Sequence, residues 1–204
     1  MEIKKAIFKQ SASSIFGCPK TNLQEYAFIG RSNVGKSSLI NMLCNNNKLA
    51  KTSATPGKTQ LINHFLINEN WFLVDLPGYG FAKTNKDTRS KIETIIYDYC
   101  KKRENLVCLF ILLDSRLPLQ RIDLEFMIWC GENEIPFSII YTKADKNGKN
   151  ELTKNIKNIE KELSKNWEEL PNSFISSAEK KTGKEELLRF IEFHYKEVKL
   201  AAKK

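Results

Sequence analysis

The run Gly30-Arg31-Ser32-Asn33-Val34-Gly35-Lys36-Ser37 satisfies the spacing GxxxxGK[ST], and its chemistry is phosphate recognition. Two glycines let the backbone wrap closely round a phosphate chain with its N–H groups pointing inward, and a helix starting there adds partial positive charge. Lys36 is then placed to reach β- and γ-phosphates, and the Ser37 hydroxyl to ligate Mg²⁺. A second group, Asp75-Leu76-Pro77-Gly78, sets a carboxylate three residues ahead of a glycine. Asp75 can hold Mg²⁺ through its water shell, and the Gly78 N–H can sense a γ-phosphate. DxxG on its own is common in turns. Its weight comes from position, because it follows the second of two strands that come after the phosphate loop.

A third group, Thr142-Lys143-Ala144-Asp145, decides the base. A carboxylate can accept hydrogen bonds from both N1–H and N2–H₂ of guanine, whereas adenine offers no such donor pair, so Asp145 selects guanine. Lys143 can lay its aliphatic stem along the base and tie back to the phosphate loop. The fourth and least specific group, Ser176-Ser177-Ala178, offers small side chains and main-chain N–H groups to guanine O6. Between the first two groups runs the polar, aperiodic segment Lys51 to Thr59, where a nucleotide switch would keep the hydroxyl that completes the Mg²⁺ shell. Thr59 is the first candidate and Thr55 the second. A second switch is expected from Tyr79 to Asp87.

These groups need elements to bring them together. Apolar runs at Tyr26 to Ile29, Leu61 to Ile67, Trp71 to Val74, Leu106 to Leu113, Phe137 to Tyr141 and Ser173 to Ile175 read as strands, most of them buried on both faces. Helical patterns fall at Lys36 to Cys44, Thr88 to Lys102, Gln120 to Glu132, Glu151 to Asn166 and Lys184 to Lys199. The alternation predicts an α/β, P-loop NTPase-type fold. Its mostly parallel central sheet has about six strands, flanked by helices, with one antiparallel edge strand. Each polar group follows a strand, at the sheet edge where open α/β folds bind ligands. We expect an N-terminal extension over residues 1–22, one domain over 23–200, and a basic tail over 201–204.

The chain has 204 residues, 33 Lys and Arg against 24 Asp and Glu, and a formal charge of +9, which favours a polyanionic partner. Its five cysteines are an odd number without CxxC spacing, and they fit a reducing compartment better than a disulfide or metal framework. The first ten residues lack the apolar core of a secretory signal, and the longest apolar run, Leu106 to Leu113, is too short to span a bilayer as a helix. A monomeric, cytoplasmic protein with no membrane span is expected.

Taken together, the motifs resemble those of the bacterial EngB (YihA/YsxC) GTPases, a branch of the Era-like group of P-loop GTPases that also includes TrmE, EngA and the septins. The likeness covers nearly the whole chain. It is carried by GRSNVGKSSLIN at Gly30 to Asn41, TPGKTQLINHF at Thr55 to Phe65, DLPGYGFAK at Asp75 to Lys83, LLDSRLPLQRIDLEF at Leu112 to Phe126 and TKADK at Thr142 to Lys146. The resemblance implies Mg²⁺ ligation by Ser37 and Thr59. It implies GTP contacts from the phosphate loop, from Gly57, Lys58, Thr59, Gln60 and Leu61, and from Asp75 to Gly78. It implies guanine contacts from Thr142 to Asp145 and from Ile175, Ser176 and Ser177, with Lys36, Thr59 and Gly78 as the catalytic set.

The same resemblance implies a role in assembling the large ribosomal subunit from its rRNA and ribosomal proteins, with cell division and septation depending on it. Tyr79 stands where many GTPases carry a water-orienting glutamine, so slow hydrolysis is expected. Asn33 resembles an asparagine with which several Era-like GTPases bind K⁺ beside the phosphates. Asp114, Arg116 and Asp123 match the family and read as structural ion pairs; His64 and Trp129 read as structural too. Two other functions compete with the ribosomal one. A GTP-dependent factor could act on the division machinery through a protein partner, and an ATP-using P-loop kinase is conceivable but leaves Asp145 without a task.

Overall fold

The computed structural model describes residues 1–51, 60–80 and 86–201. The strands are β1 (Ala6–Ala12), β2 (Glu25–Gly30), β3 (Ile62–Ile67), β4 (Trp71–Asp75), β5 (Leu106–Asp114), β6 (Phe137–Thr142) and β7 (Ser173–Ile175). They form one sheet in the order β1-β3-β4-β2-β5-β6-β7. The run from β4 to β7 is parallel, and β3 is antiparallel to both β4 and β1. The helices are α1 (Lys36–Leu43), α2 (Lys86–Lys102), α3 (Arg121–Glu132), α4 (Lys149–Leu163) and α5 (Lys184–Ala201).

Period-two alternation splits the apolar strands between two cores. Ala27, Ile29, Val74, Leu109 and Ile111 face a layer made by α2, α3 and α4. Tyr26, Phe28, Leu73, Phe110 and Leu112 face the layer of α1 and α5. The central strands are therefore sealed on both faces, and each buried Val, Leu, Ile or Phe side chain among these contributes about 1.5–3 kcal/mol. Of the residues at helical spacing in the last helix, Leu187, Leu188 and Ile191 pack into the core as expected, while Tyr195 is half-buried and Val198 is exposed.

All six expected strands and five expected helices are present, with ends moved by at most three residues. The seventh strand, β1, comes from residues read only as an N-terminal extension. Its segment AIFKQSA buries Ala12 alone, and its pairing with β3 is interrupted between Phe8 and Gln10. A half-solvated edge strand with a bulge gives the sequence too little apolar signal to stand out. All five cysteines are buried thiols. Among the described residues, no helix is long and apolar enough to cross a membrane.

Candidate functional site

The carboxyl ends of β2, β4, β5 and β6 lie side by side, with Phe28 opposite Asp75, Gly30 opposite Leu112, and Asp114 opposite Thr142. The phosphate loop runs from β2 into α1, whose first residue is Lys36. Gly35 caps that helix at φ +107, a left-handed conformation that strains residues with a Cβ. The first-turn N–H groups of α1 are left without helical partners and carry the positive end of its dipole. Lys36 is buried, and its ammonium is ion-paired with the Asp75 carboxylate at the end of β4. Asn63 Nδ2 on β3 lies 3.5 Å from the other Asp75 oxygen. Val34 and Leu76 put their side chains into the two cores, so only their backbones can face a ligand. Gly78 lies so close to the phosphate loop that a Cβ there would sit 2.8 Å from Gly30 O. Its neighbour Tyr79 donates its N–H to Gly30 O at 3.3 Å.

The base-reading loop is fixed from several sides. Thr142 Oγ1 is 2.6 Å from Val34 O and 3.1 Å from Leu113 O. Lys143 adopts φ +58, and its Nζ donates to Asn33 O at 2.6 Å and to Asp114 Oδ2 at 2.9 Å. Asp114, which ends β5, also accepts from Arg116 Nε at 2.9 Å and Nη2 at 2.7 Å. Burial pushes the Asp114 carboxyl up, but the Arg116 guanidinium and the Lys143 ammonium outweigh it and hold the group down at about 2. Asp114 thus stays charged and aims Lys143 at the phosphate loop. Ser177 Oγ donates to Asp145 Oδ1 at 2.5 Å, and with the Lys146 ammonium it lowers that carboxyl's pKa. Asp145 Oδ2 is buried and accepts no hydrogen bond; Lys146 Nζ lies 3.2 Å away but out of line. A cavity of about 770 Å³ opens here, lined among others by Gly35, Asn41, Lys143, Asp145 and Ala178, a volume suited to a small ligand.

Several sequence expectations fall elsewhere. Thr55, Gly57, Lys58 and Thr59 lie outside the described residues, as do residues 81–85 of the second switch expected from Tyr79 to Asp87. Gln60 and Leu61 are exposed just ahead of β3. The Ser176 N–H donates to Tyr141 O and the Ser177 N–H to Thr182 O, so neither amide is left to meet a base, contrary to expectation. Ile175 ends β7 and does not line the cavity. Asp114 and Arg116 form the expected ion pair, but that pair also orients Lys143. The signal was available, since Asp114, like Asp75, is a carboxylate closing a buried strand at this sheet edge.

A phosphate cradle on a strand–loop–helix turn, beside a pocket with an open carboxylate, defines a P-loop GTPase. A family profile described as a 50S ribosome-binding GTPase matches residues 25–143. The chain is 60% identical over 198 residues to the "probable GTP-binding protein EngB" of Bacteroides thetaiotaomicron, covering 97% of this chain and 98% of that one. To the protein of the same name from Phocaeicola vulgatus it is 58% identical over 192 residues, 94% and 96% of the two chains. The crystal structure of a probable GTP-binding protein EngB matches with a TM-score of 0.63 at 25% identity, over 85% of this chain and 99% of that one. Era in complex with MgGDPNP and nucleotides 1506–1542 of 16S ribosomal RNA shares the fold, with a TM-score of 0.63 at 22% identity, over 83% and 55%. The chain belongs to the EngB family: it is a GTP-binding protein and a GTPase.

Proposed function

We propose that this GTPase is a Mg²⁺-dependent switch acting in the cytoplasm on precursors of the large ribosomal subunit, with normal division and septation as downstream consequences. The observation that carries the nucleotide reading is Asp145 Oδ2, a buried acceptor without a hydrogen bond, facing a cavity that begins at the phosphate loop. Guanine N1–H and N2–H₂ supply the missing donors. With the Ser176 and Ser177 amides closed, the N–H for guanine O6 falls to Ala178 on the cavity wall.

The Lys36–Asp75 pair fits a metal–phosphate ligand, since phosphate can replace Asp75 beside Lys36 and a hydrated cation can replace Lys36 beside Asp75. Ser37 and Asp75 would hold Mg²⁺, with Thr59 completing the shell; the ion would neutralise phosphate charge during transfer to water. Tyr79 directs its hydroxyl to Asp123 on α3 at 2.9 Å, so residue 79 orients no water, and the intrinsic rate is slow. Asn33, in the phosphate loop, would bring K⁺ to the phosphates, and equal hydrolysis in Na⁺ and K⁺ buffers would remove that part.

The family profile's description supports a ribosomal partner, and so does a formal charge of +9. Exposed Lys154, Lys157 and Lys161 share one face of α4 by helical spacing, and exposed Lys165 follows in the turn beyond the helix. The test is co-sedimentation with large-subunit precursors: association with the GTP-bound form and release with GDP is the expected result. Binding to a division protein without ribosomal particles would replace this reading.

A further inference from the structure

Asp123 lies in the first turn of α3 and is 1% exposed. Its two carboxylate oxygens serve two different parts of the nucleotide site. Oδ1 accepts the Tyr79 hydroxyl at 2.9 Å, and Oδ2 accepts Arg31 Nε at 3.1 Å. Arg31 follows the first glycine of the phosphate loop, and Tyr79 follows Gly78. The two residues also form a parallel backbone bridge. The Tyr79 ring is buried against Phe126, with 4.9 Å between ring centres.

The short strap Leu76-Pro77-Gly78 is therefore anchored at both ends. Leu76 N–H donates to Phe28 O at 3.0 Å on the strand side, and Tyr79 is held by Asp123 on the other. Gly78 sits between the anchors, pressed against the phosphate loop. Without Asp123 the far end would keep only the Tyr79 N–H bond to Gly30 O, the backbone bridge to Arg31 and the ring contact with Phe126, a looser hold on Gly78.

We propose that Asp123 is a positioning residue for the GTP-bound state: by clamping Arg31 and Tyr79 together, it holds the Gly78 N–H at the γ-phosphate end of the cradle. The inference rests on the reading of Gly78 as the γ-phosphate sensor. It separates Asp123 from a merely structural buried carboxylate, because a clamp that acts through the γ-phosphate changes the affinity for a triphosphate and leaves that for a diphosphate alone.

The experiment is calorimetric titration of GDP and of the non-hydrolysable analogue GMPPNP, with thermal melting in parallel, in wild type, Tyr79→Phe, Asp123→Asn and the double variant. Tyr79→Phe removes one hydroxyl while keeping the buried ring, so it folds even if Asp123→Asn does not. GMPPNP should bind roughly tenfold more weakly in each single variant, the size of one charge-assisted hydrogen bond. GDP should stay within about twofold of wild type, and the double variant should be no weaker than the weaker single, because the two groups act as a unit. Equal weakening of both nucleotides, or unchanged GMPPNP binding by Tyr79→Phe, overturns the clamp. Gly78→Ala, whose added Cβ forces the strap away from Gly30 O, distinguishes the underlying reading: weaker GMPPNP with GDP held is expected of a γ-phosphate sensor, whereas unchanged GMPPNP binding, or equal weakening of both nucleotides, means that Gly78 is not the sensor, and the clamp's role falls with it.

Discussion

Two acidic centres sit at opposite ends of the same sheet and are treated in opposite ways. At the amino end of β2, Glu25 has no exposed surface. Its Oε1 accepts Arg103 Nη2 at 2.6 Å; its Oε2 accepts Arg103 Nε at 3.0 Å and the Tyr99 hydroxyl at 2.5 Å. His64 Nε2 stands 3.4 Å away, and Arg103 reaches on to Pro19 O at 2.7 Å. Both oxygens are satisfied by the chain itself. At the carboxyl end, Asp145 keeps one oxygen without a hydrogen bond, and the Asp75 charge is balanced mainly by Lys36, a group with its own claim on phosphate. Burial of a charge without full compensation is costly. The two His64 ring nitrogens lack hydrogen bonds, but the Glu25 charge itself is fully met. A carboxylate closed in this way identifies a stability element, and one left half-open beside a cavity identifies a place where a ligand completes the set.

Glu25→Ala strands the Arg103 guanidinium and should cost about 3–5 kcal/mol of folding stability, as expected when one partner of a buried pair is removed. Denaturant unfolding measures the loss, and GDP affinity of the folded fraction should be unchanged. Asp145→Asn should do the reverse. Losing two charge-assisted bonds of about 1.5–3 kcal/mol each lowers guanine affinity by roughly a hundredfold or more, with xanthine nucleotides now preferred and stability hardly altered. Equal competition by ATP in wild type would contradict guanine selectivity altogether. A smaller effect is expected from Asp114→Asn, which leaves the fold but loosens Lys143, weakening GDP and GTP alike by about three- to tenfold. The exposed half of Arg116 adds little to that figure.

The open end was the legible one. GxxxxGK[ST], DxxG and TKAD each lie within a few adjacent residues, because a loop that wraps a phosphate or a base must supply its groups locally, and each follows a strand whose apolar run marks the sheet edge. The closed end was not legible. Glu25, His64, Tyr99 and Arg103 lie on β2, β3 and α2 or just beyond it, and only folding brings them together. Asp123 shows the same limit: 44 residues separate it from Tyr79 and 92 from Arg31. β1 escaped notice for a different reason, being an edge strand that buries almost nothing. Sequence pattern reports what burial and local chemistry demand, and it is silent on polar groups paired across the fold.

Acid should sharpen the same contrast with the smallest shift. Burial drives the Glu25 carboxyl upward, but the His64 ring, the Arg103 guanidinium and the Tyr99 hydroxyl together hold it at about 2, against an ordinary value of 4.5. Asp114 is likewise held at about 2, against 3.8. Both groups bind protons more readily in the unfolded chain, so their stabilising contribution is complete above their unfolded values and is lost as pH falls through the folded ones. Unfolding midpoints of wild type should therefore drop between about pH 4.5 and 2. Glu25→Gln starts lower and cannot lose that contribution again, so its curve should be flatter and approach wild type at the acid end. Asp145→Asn should also flatten the curve, but less than Glu25→Gln, because only Ser177 and Lys146 hold the Asp145 carboxyl down in the fold and its other oxygen is left for a ligand. Parallel curves for wild type and Glu25→Gln would mean that the closed network is not what holds this end of the sheet together.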